Sequence, residues 1–222
     1  MNSNSIPIEE VVEVSNMPID EWRKVQLNYY SSTPPFDLVI RREIFHEIYG
    51  LLLEHNQNIW VTGGTVLGAI RDNDFIAWDD DIDFNMIEKD FLDVMYKVKD
   101  CLVQNGYIVR LSDDNDYPKM VTYKKGVKVA IGSLKESGKF LLRPAYRLPK
   151  EFFQVHKKIS FTGIDVLMPY PPEKYLEYVY GSDWKIPREI NDDAQLYTVK
   201  YLRRPILRVI LKRLYLFVKK YL

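Results

Sequence analysis

Apolar residues recur along this chain with two spacings, which predict helices alternating with short strands. Over residues 36–56 they recur every three or four positions, and Asp37 lies near the predicted helix start. The same spacing predicts a helix over Glu88–Gln104, which Asn105 and Gly106 would end. Short apolar runs bounded by turn residues predict strands at 58–62, 107–111, 119–123 and 127–131.

A glycine pair and a run of acids occupy the stretch between residues 59 and 86. Gly63 and Gly64 follow a predicted buried strand, and a residue without Cβ allows a sharp turn or a close approach to a ligand. The helix predicted over residues 65–71 has free N–H groups at its start, which suit an anion. This part of the stretch therefore predicts a phosphate-binding turn.

Asp79, Asp81 and Asp83 follow at a spacing of two, which places side chains on one face of a strand. Carboxylates this close repel each other unless a cation lies between them. Hard oxygen ligands suit Mg²⁺ or Mn²⁺, which bind phosphate oxygens in phosphoryl-transfer sites. An isolated acidic run is more often a solvated loop, but Trp78 and other residues that favour burial flank this one. The spacing therefore predicts a divalent-metal site facing the glycine turn.

The sequence GGTVLGAIRDNDFIAWDDDIDF resembles the signature of the LicD/fukutin-related phosphotransferases, within the nucleotidyltransferase superfamily that includes DNA polymerase beta. The resemblance extends over about residues 36 to 187. Family members move a phosphorylated small alcohol, such as phosphocholine or ribitol phosphate, from a CDP-activated donor onto a glycan. The resemblance implies an α/β (α+β) fold, a nucleotidyltransferase-like mixed sheet flanked by helices.

The resemblance also implies roles for individual residues. Asp81 and Asp83 would bind the metal, with Asp79 or Asp165 as a further acidic ligand, and Asp79, Asp81 and Asp83 form the catalytic set. The residues implied for donor phosphate are Gly63, Gly64, Thr65, Arg71 and Lys119. Two of these keep a structural alternative, since Arg71 suits a helix C-terminus and Lys119 suits the surface. Trp78 is interpreted as a packing residue in preference to a stacking surface for ligand.

The strand predicted at 127–131 departs from the family pattern. Relatives carry a third carboxylate there, and alignment by eye places Ala130 at that position. Either the metal site depends on Asp79, Asp81 and Asp83 alone, or catalysis is impaired, and both interpretations stay open. Asp165 lies in a later segment whose matching family position is not the metal ligand.

Composition narrows the class of protein. The chain has 222 residues with 46% hydrophobic residues, enough for a proper core. The formal net charge is zero, which argues against nucleic acid as a partner. The single Cys101 excludes an internal disulfide, and the N-terminus shows no secretory signal, so we expect a cytoplasmic location.

Three segments are predicted: an N-terminal arm at 1–35, a catalytic domain at 36–193 and a basic amphipathic helix at 194–222. The last segment has no acidic residue, and its lysines and arginines alternate with apolar residues. This pattern predicts peripheral contact with the inner face of a membrane through residues 200–222. A partner helix, a dimer helix and packing on the domain are about equally well supported.

The predicted function is metal-dependent transfer of a phospho-alcohol, of the phosphocholine, ribitol phosphate or glycerol phosphate type. The donor would be CDP-linked, and the acceptor would be a sugar hydroxyl of a cell-surface glycan, with a lipid-linked glycan as one candidate. The alternatives are a nucleotidyltransferase and a non-catalytic nucleotide- or glycan-binding scaffold. The basic and aromatic stretch at 138–153 is either a surface for an anionic or glycan acceptor or a solvated, Pro-bent connection; its candidate residues are Arg143, Tyr146, Arg147 and Lys150.

Overall fold

The computed structural model describes residue 21 and residues 37–112, 117–143 and 147–187. Apart from residue 21, the predicted arm at 1–35 lies outside the described residues, as does the predicted basic helix at 194–222. The described residues form one mixed sheet with helices against it, so the predicted α/β architecture is confirmed.

In the described part of the chain there are four α-helices and nine strands. The helices are α1 (Leu38–His55), α2 (Gly63–Arg71), α3 (Glu88–Gln104) and α4 (Pro172–Tyr180), with a 3-10 helix at Lys150–Phe153. The strands are β1 (Trp60–Val61), β2 (Asp81–Ile87), β3 (Ile108–Ser112), β4 (Lys119–Lys124), β5 (Val127–Ser137), β6 (Phe140–Leu142), β7 (Arg147–Pro149), β8 (Lys158–Phe161) and β9 (Ile164–Leu167).

The main path of the sheet runs in the order β3-β4-β5-β2-β1-β9-β8, and β6 and β7 extend it from the end of β5. Strand β2 is parallel to β5, and β1 is parallel to β9, whereas the other pairs are antiparallel. The acid-bearing strand β2 therefore lies near the middle, with β1 on one side and β5 on the other.

Alternation along β2 gives the sheet two unlike faces. Asp81 and Asp83 keep some exposure, while the residues between and after them are buried. On the buried side, Phe45 and Tyr49 of α1 stack on Phe84 with ring centroids 5.7 and 5.9 Å apart. Burying a large apolar side chain stabilises the fold by about 1.5–3 kcal/mol. We call this side the core face and the side with Asp81 and Asp83 the site face.

Several elements differ from the prediction in their extent. Helix α2 begins at Gly63, two residues earlier than predicted, so the glycine pair is its first turn. Strand β5 continues to Ser137, and β6, β7 and the 3-10 helix occupy most of the stretch at 138–153, for which a solvated, Pro-bent connection was one of two alternatives. Among the described helices, none has the length and apolar character needed to cross a membrane.

Candidate metal and phosphate site

The first turn of α2 lies directly against two of the predicted acids. Gly63 has φ +58°, and a Cβ at this residue would overlap the carboxylate of Asp83. A Cβ at Gly64 would overlap the carboxylate of Asp79. Both positions therefore require glycine, and the absence of side chains brings the start of α2 to the acidic cluster.

The acidic cluster includes one residue that the sequence analysis left out. Asp79, Asp80 and Asp81 each have a carboxylate oxygen within 4.8 Å of the others, and this group could bind a metal ion. Asp79 and Asp80 precede β2, which begins at Asp81. Because the alternation rule applies only inside a strand, it did not predict that Asp80 joins its neighbours. Asp83 follows on the same face of β2, beside Gly63.

Thr65 holds the acidic strand in place instead of presenting its hydroxyl to a ligand. Its Oγ1 accepts a hydrogen bond from the backbone N–H of Asp83 at 2.9 Å, and the residue is buried. The N–H of Thr62 donates to the carbonyl oxygen of Asp83 at 3.0 Å. The expectation that Thr65 faces donor phosphate therefore holds at most for its backbone N–H, since its side chain is engaged.

Arg41 of α1 is a residue of the site that the sequence analysis missed. Its guanidinium donates to the carbonyl oxygen of Ile76 at 3.1 Å and to that of Asp79, and the residue is only 3% exposed. Burial lowers the pKa of Arg41, and the nearby carboxylates, led by Asp79, oppose this change. An arginine on the apolar side of a predicted helix is the signal that would have revealed it.

The carboxylates of the cluster are hard to ionise together. Burial raises the pKa of Asp79 to about 7, and repulsion from Asp81 and Asp80 contributes. Burial also raises the pKa of Asp83 well above its ordinary value, again with repulsion from Asp81. A divalent cation would favour the charged form of every one of these oxygens, so the donor set fits a hard metal ion.

Two cations approach the acids from the β5 side. Lys128 Nζ lies 2.8 Å from Asp81 Oδ2 and 3.3 Å from Asp80 Oδ2. The positive charge of Arg143 partly offsets the rise in the pKa of Asp83. Ala130 pairs with Asp83 in the register of β2 and β5. The residue at the expected position of a third carboxylate is thus next to the cluster and adds no ligand.

The prediction that Asp165 could be a third ligand of the same ion is wrong, because Asp165 lies far from the acidic cluster. Trp60 pairs with both Asn85 of β2 and Leu167 of β9. Because β9 is parallel to β1, the exposed Asp165 lies toward the end of β2 that is remote from Asp83. The displacement along the strands is about four residues, or roughly 13 Å.

The structure also gives the positions of three further residues from the sequence analysis, Arg71, Lys119 and Trp78. Arg71, the last residue of α2, donates to both carboxylate oxygens of Asp72 at 2.8 and 2.6 Å. It lies roughly 12 Å from the glycine turn at 1.5 Å per helical residue, which supports the structural alternative. Lys119 lies on β4, two strands from β2. Trp78 is 41% exposed, and its interpretation as a packing residue stays a prediction.

Comparisons with known proteins give a family match and several relatives. Residues 56–171 match the family model described as LicD/FKTN/FKRP, nucleotidyltransferase domain. An uncharacterised protein of Rickettsia prowazekii (strain Madrid E) is 29% identical over 141 residues, or 59% of this chain and 50% of that protein. The ribitol 5-phosphate transferase FKRP of Homo sapiens is 38% identical over 58 residues, or 26% of this chain and 12% of that protein.

The solution structure of the antibiotic-resistance factor ANT(2'')-Ia is similar to this chain with a TM-score of 0.49 and 15% sequence identity. The match covers 83% of this chain and 98% of that chain. The chain spans half the length of the Rickettsia prowazekii relative and 12% of the length of human FKRP.

Proposed function

Because the chain belongs to the LicD/FKTN/FKRP family, whose nucleotidyltransferase-domain model matches residues 56–171, we propose that it is a metal-dependent phosphotransferase. It moves a phospho-alcohol from a CDP-activated donor to a sugar hydroxyl of a glycan. A relative named ribitol 5-phosphate transferase supports this class of reaction. The same family model and the mixed sheet confirm the predicted nucleotidyltransferase-like fold.

The single observation that carries this proposal is the contact between the glycine pair and the acids. Gly63 adjoins Asp83 and Gly64 adjoins Asp79, with no room for a Cβ at either position. The first N–H groups of a helix have no partner inside it and attract anions. The start of α2 therefore holds the donor diphosphate beside the carboxylates and orients it for displacement.

Asp79, Asp80, Asp81 and Asp83 supply the oxygen ligands for Mg²⁺ or Mn²⁺. When bound, the ion neutralises the charge that develops on phosphate oxygens during transfer. Arg41 fixes the turn that carries Asp79 by binding its carbonyl oxygen. Thr65 fixes the backbone of Asp83. These two buried side chains keep the carboxylates from spreading apart as their charges repel.

A proton must leave the acceptor hydroxyl as it attacks phosphorus. Asp79 is the candidate acceptor of that proton, through a carboxylate oxygen that does not bind the ion, because its carboxylate lies against the glycine turn. A carboxylate within hydrogen-bond reach of a hydroxyl can act as general base.

Transfer assays with Asp81→Asn and Asp83→Asn test the function. The donors are CDP-choline, CDP-ribitol and CDP-glycerol, and the released nucleotide is identified by mass in Mg²⁺ or Mn²⁺. We expect CMP release by the unaltered protein and a loss of about 100-fold or more in each variant. Unchanged turnover in both variants would contradict the proposal. Pyrophosphate release would indicate nucleotidyl transfer, and binding of donor without turnover would indicate a scaffold.

Residues 200–222 are included in the proposal as a contact with the anionic inner face of a membrane. Their basic and apolar composition suits such a surface. Co-sedimentation of the full chain with vesicles tests this contact. We expect binding to vesicles with phosphatidylserine that falls as salt rises, and equal binding to neutral vesicles would contradict it.

A further inference from the structure

A second charged region lies on the site face, on the opposite side of β2 from the glycine turn. Gly132 of β5 pairs with Asn85 of β2 on one side and with Lys119 of β4 on the other. Directly paired residues project to the same face of a sheet, so Lys119 and Asn85 share the site face. The row ends in Lys119, which is exposed as a residue although its ammonium group is partly desolvated.

The guanidinium of Arg143 lies over the backbone of Gly132. A Cβ at Gly132 would be 2.7 Å from Arg143 Nη2 and 2.8 Å from Asn85 Oδ1. A side chain at this position would therefore force the guanidinium of Arg143 or the amide of Asn85 to move. Asn85 is fully buried, and its Oδ1 has no hydrogen-bond partner among the described residues. This acceptor oxygen therefore adjoins the space that the guanidinium occupies.

Small residues separate the acids from these cations. Ala130 lies two residues before Gly132, on the same face, and pairs with Asp83. Residues 130 and 132 therefore form a floor without long side chains between Asp83 and the row of Lys119. A carboxylate at position 130 would have filled this floor and repelled an anion.

Positive charges are crowded at this floor. Burial lowers the pKa of Lys119, and the charges of Arg143, Lys128 and Arg110 lower it further. Positive charges this close together repel each other, and a bound anion would reduce this repulsion. A metal ion would reduce the repulsion among the crowded acids in the same way. Arginine and lysine together match a phosphate group, because the guanidinium binds two oxygens and the ammonium adds a point charge.

The glycine turn and the cations lie on opposite sides of β2, so each half of the site face can contact a different substrate. Helix α2 begins at the end of β1, whereas Lys119 and Arg143 lie beyond β5. In a displacement at phosphorus, the attacking and leaving oxygens are roughly in line on opposite sides. If the donor diphosphate lies at Gly63 and Gly64, as the proposed function requires, the acceptor approaches from the β5 side.

We propose that Lys119 and Arg143, above Ala130 and Gly132, form a subsite for a phosphate group of the acceptor, a subsite that depends on the proposed function. The acceptor class is thus a phosphate-bearing glycan or polyol, with its attacking hydroxyl directed at the acids. Lys119 is then an acceptor residue and does not bind the donor, which changes the role that the family resemblance implied for it.

Calorimetric titration of the full chain tests the subsite with glycerol 3-phosphate as the probe. CMP and Mg²⁺ are present at saturation, and their own binding is measured first. We expect glycerol 3-phosphate to bind at millimolar concentration in the presence of CMP. Lys119→Gln and Arg143→Gln are expected to weaken this binding about tenfold each, and to change CMP affinity less than twofold.

Lys125→Gln is the matched control, because Lys125 lies at the turn of the same β4–β5 hairpin and is away from the floor. This variant is expected to bind the probe as the unaltered protein does. Arg143→Lys keeps a positive charge and is expected to recover part of the binding that Arg143→Gln loses. Thermal melting of each variant shows that it is folded.

Three outcomes would overturn the subsite. Binding of glycerol 3-phosphate that occurs without CMP and is lost at saturating CMP would assign the cations to the donor. Absence of millimolar binding both with and without CMP would remove the subsite, and unchanged binding in both Gln variants would place the phosphate elsewhere. Failure of the proposed function has a different signature, since the unaltered protein would then bind neither CMP nor CDP-choline in Mg²⁺.

Discussion

The acidic half and the cationic half of the site face differ in how the chain assembles them. The acids and the glycines come from one stretch of about twenty residues, Gly63 to Asp83, and both follow directly from spacing along the chain. The cations Lys119, Lys128 and Arg143 come from separate strands and from the end of β6, and only the strand register brings them together. Local spacing therefore reveals the acidic half, whereas long-range strand pairing assembles the cationic half.

The largest effect is expected at the glycine turn. Gly64→Ala would place a Cβ against the carboxylate of Asp79, so either the acid or the start of α2 must move. We expect transfer activity to fall about 100-fold, since displacements of about 1 Å in such sites have effects of this size. Gly50→Ala is the matched control, because no atom lies within 4 Å of a Cβ there. Equal activity in the two variants would show that the contact does not matter.

Arg41→Met tests whether the acidic half depends on α1. The change leaves the carbonyl oxygens of Ile76 and Asp79 without their buried donor, so we expect a loss of about 2 kcal/mol in the free energy of unfolding. We also expect weaker Mg²⁺ binding, because the turn with Asp79 loses its support. Arg42→Met removes a more exposed arginine that pairs with Asp74, and it is expected to destabilise the protein less than Arg41→Met does. Chemical denaturation and calorimetry give both quantities.

The pH dependence of stability reports the crowding of the acids. The folded protein raises the pKa of Asp79 to about 7 from its ordinary value of 3.8. Between these pH values the folded state binds more protons than the unfolded state, so stability without divalent ions falls as pH rises from about 4 to about 7. Mg²⁺ replaces the proton, and we therefore expect it to raise Tm more at pH 8 than at pH 5.

Asp79→Asn is expected to flatten this dependence, because an amide does not titrate in that range. A Tm shift by Mg²⁺ that is equal at both pH values would argue that the crowded acids are not the metal ligands. Thermal melting of the unaltered protein and the variant, with and without Mg²⁺, provides the comparison.

The smallest effect on stability is expected at Trp78. Its side chain is 41% exposed beside the acidic cluster, so Trp78→Ala should change the free energy of unfolding by less than about 1 kcal/mol. Trp60→Ala is the contrasting variant, since Trp60 is 3% exposed, and it should cost about 3 kcal/mol or more. Similar losses in the two variants by chemical denaturation would support the packing interpretation of Trp78.

Features that depend on residues close together in the sequence were predicted correctly, whereas features that depend on contacts between distant segments were not. Helix α3 has the predicted bounds, because a regular apolar period and the Asn105–Gly106 stop define it locally. The approach of the glycines to the acids was also predictable, since both belong to one strand–turn–helix–strand unit. Asp165 was misplaced because its spacing within β9 says nothing about which end of β2 it accompanies.

The remaining errors have the same origin. Arg41 reaches the acidic turn from a helix that precedes it by some thirty-five residues, and its position on the apolar side of that helix is the one local signal of this contact. Thr65 was assigned to ligand because it follows two glycines, whereas its hydroxyl finds a backbone partner across the turn. Polar side chains near a site either bind ligand or support those that do, and only the fold separates the two roles.

Helix α1 contacts both the hydrophobic core and the acidic cluster. The rings of Phe45 and Tyr49 stack on the ring of Phe84. Arg41 of the same helix donates a hydrogen bond to the carbonyl oxygen of Asp79 in the acidic turn. A substitution that disturbs the packing of Phe45 or Tyr49 on Phe84 would therefore also weaken the affinity for the proposed divalent cation. Under the proposed function, the affinity for a divalent cation would therefore report how well the core around α1 is packed, and it can be measured on the folded protein.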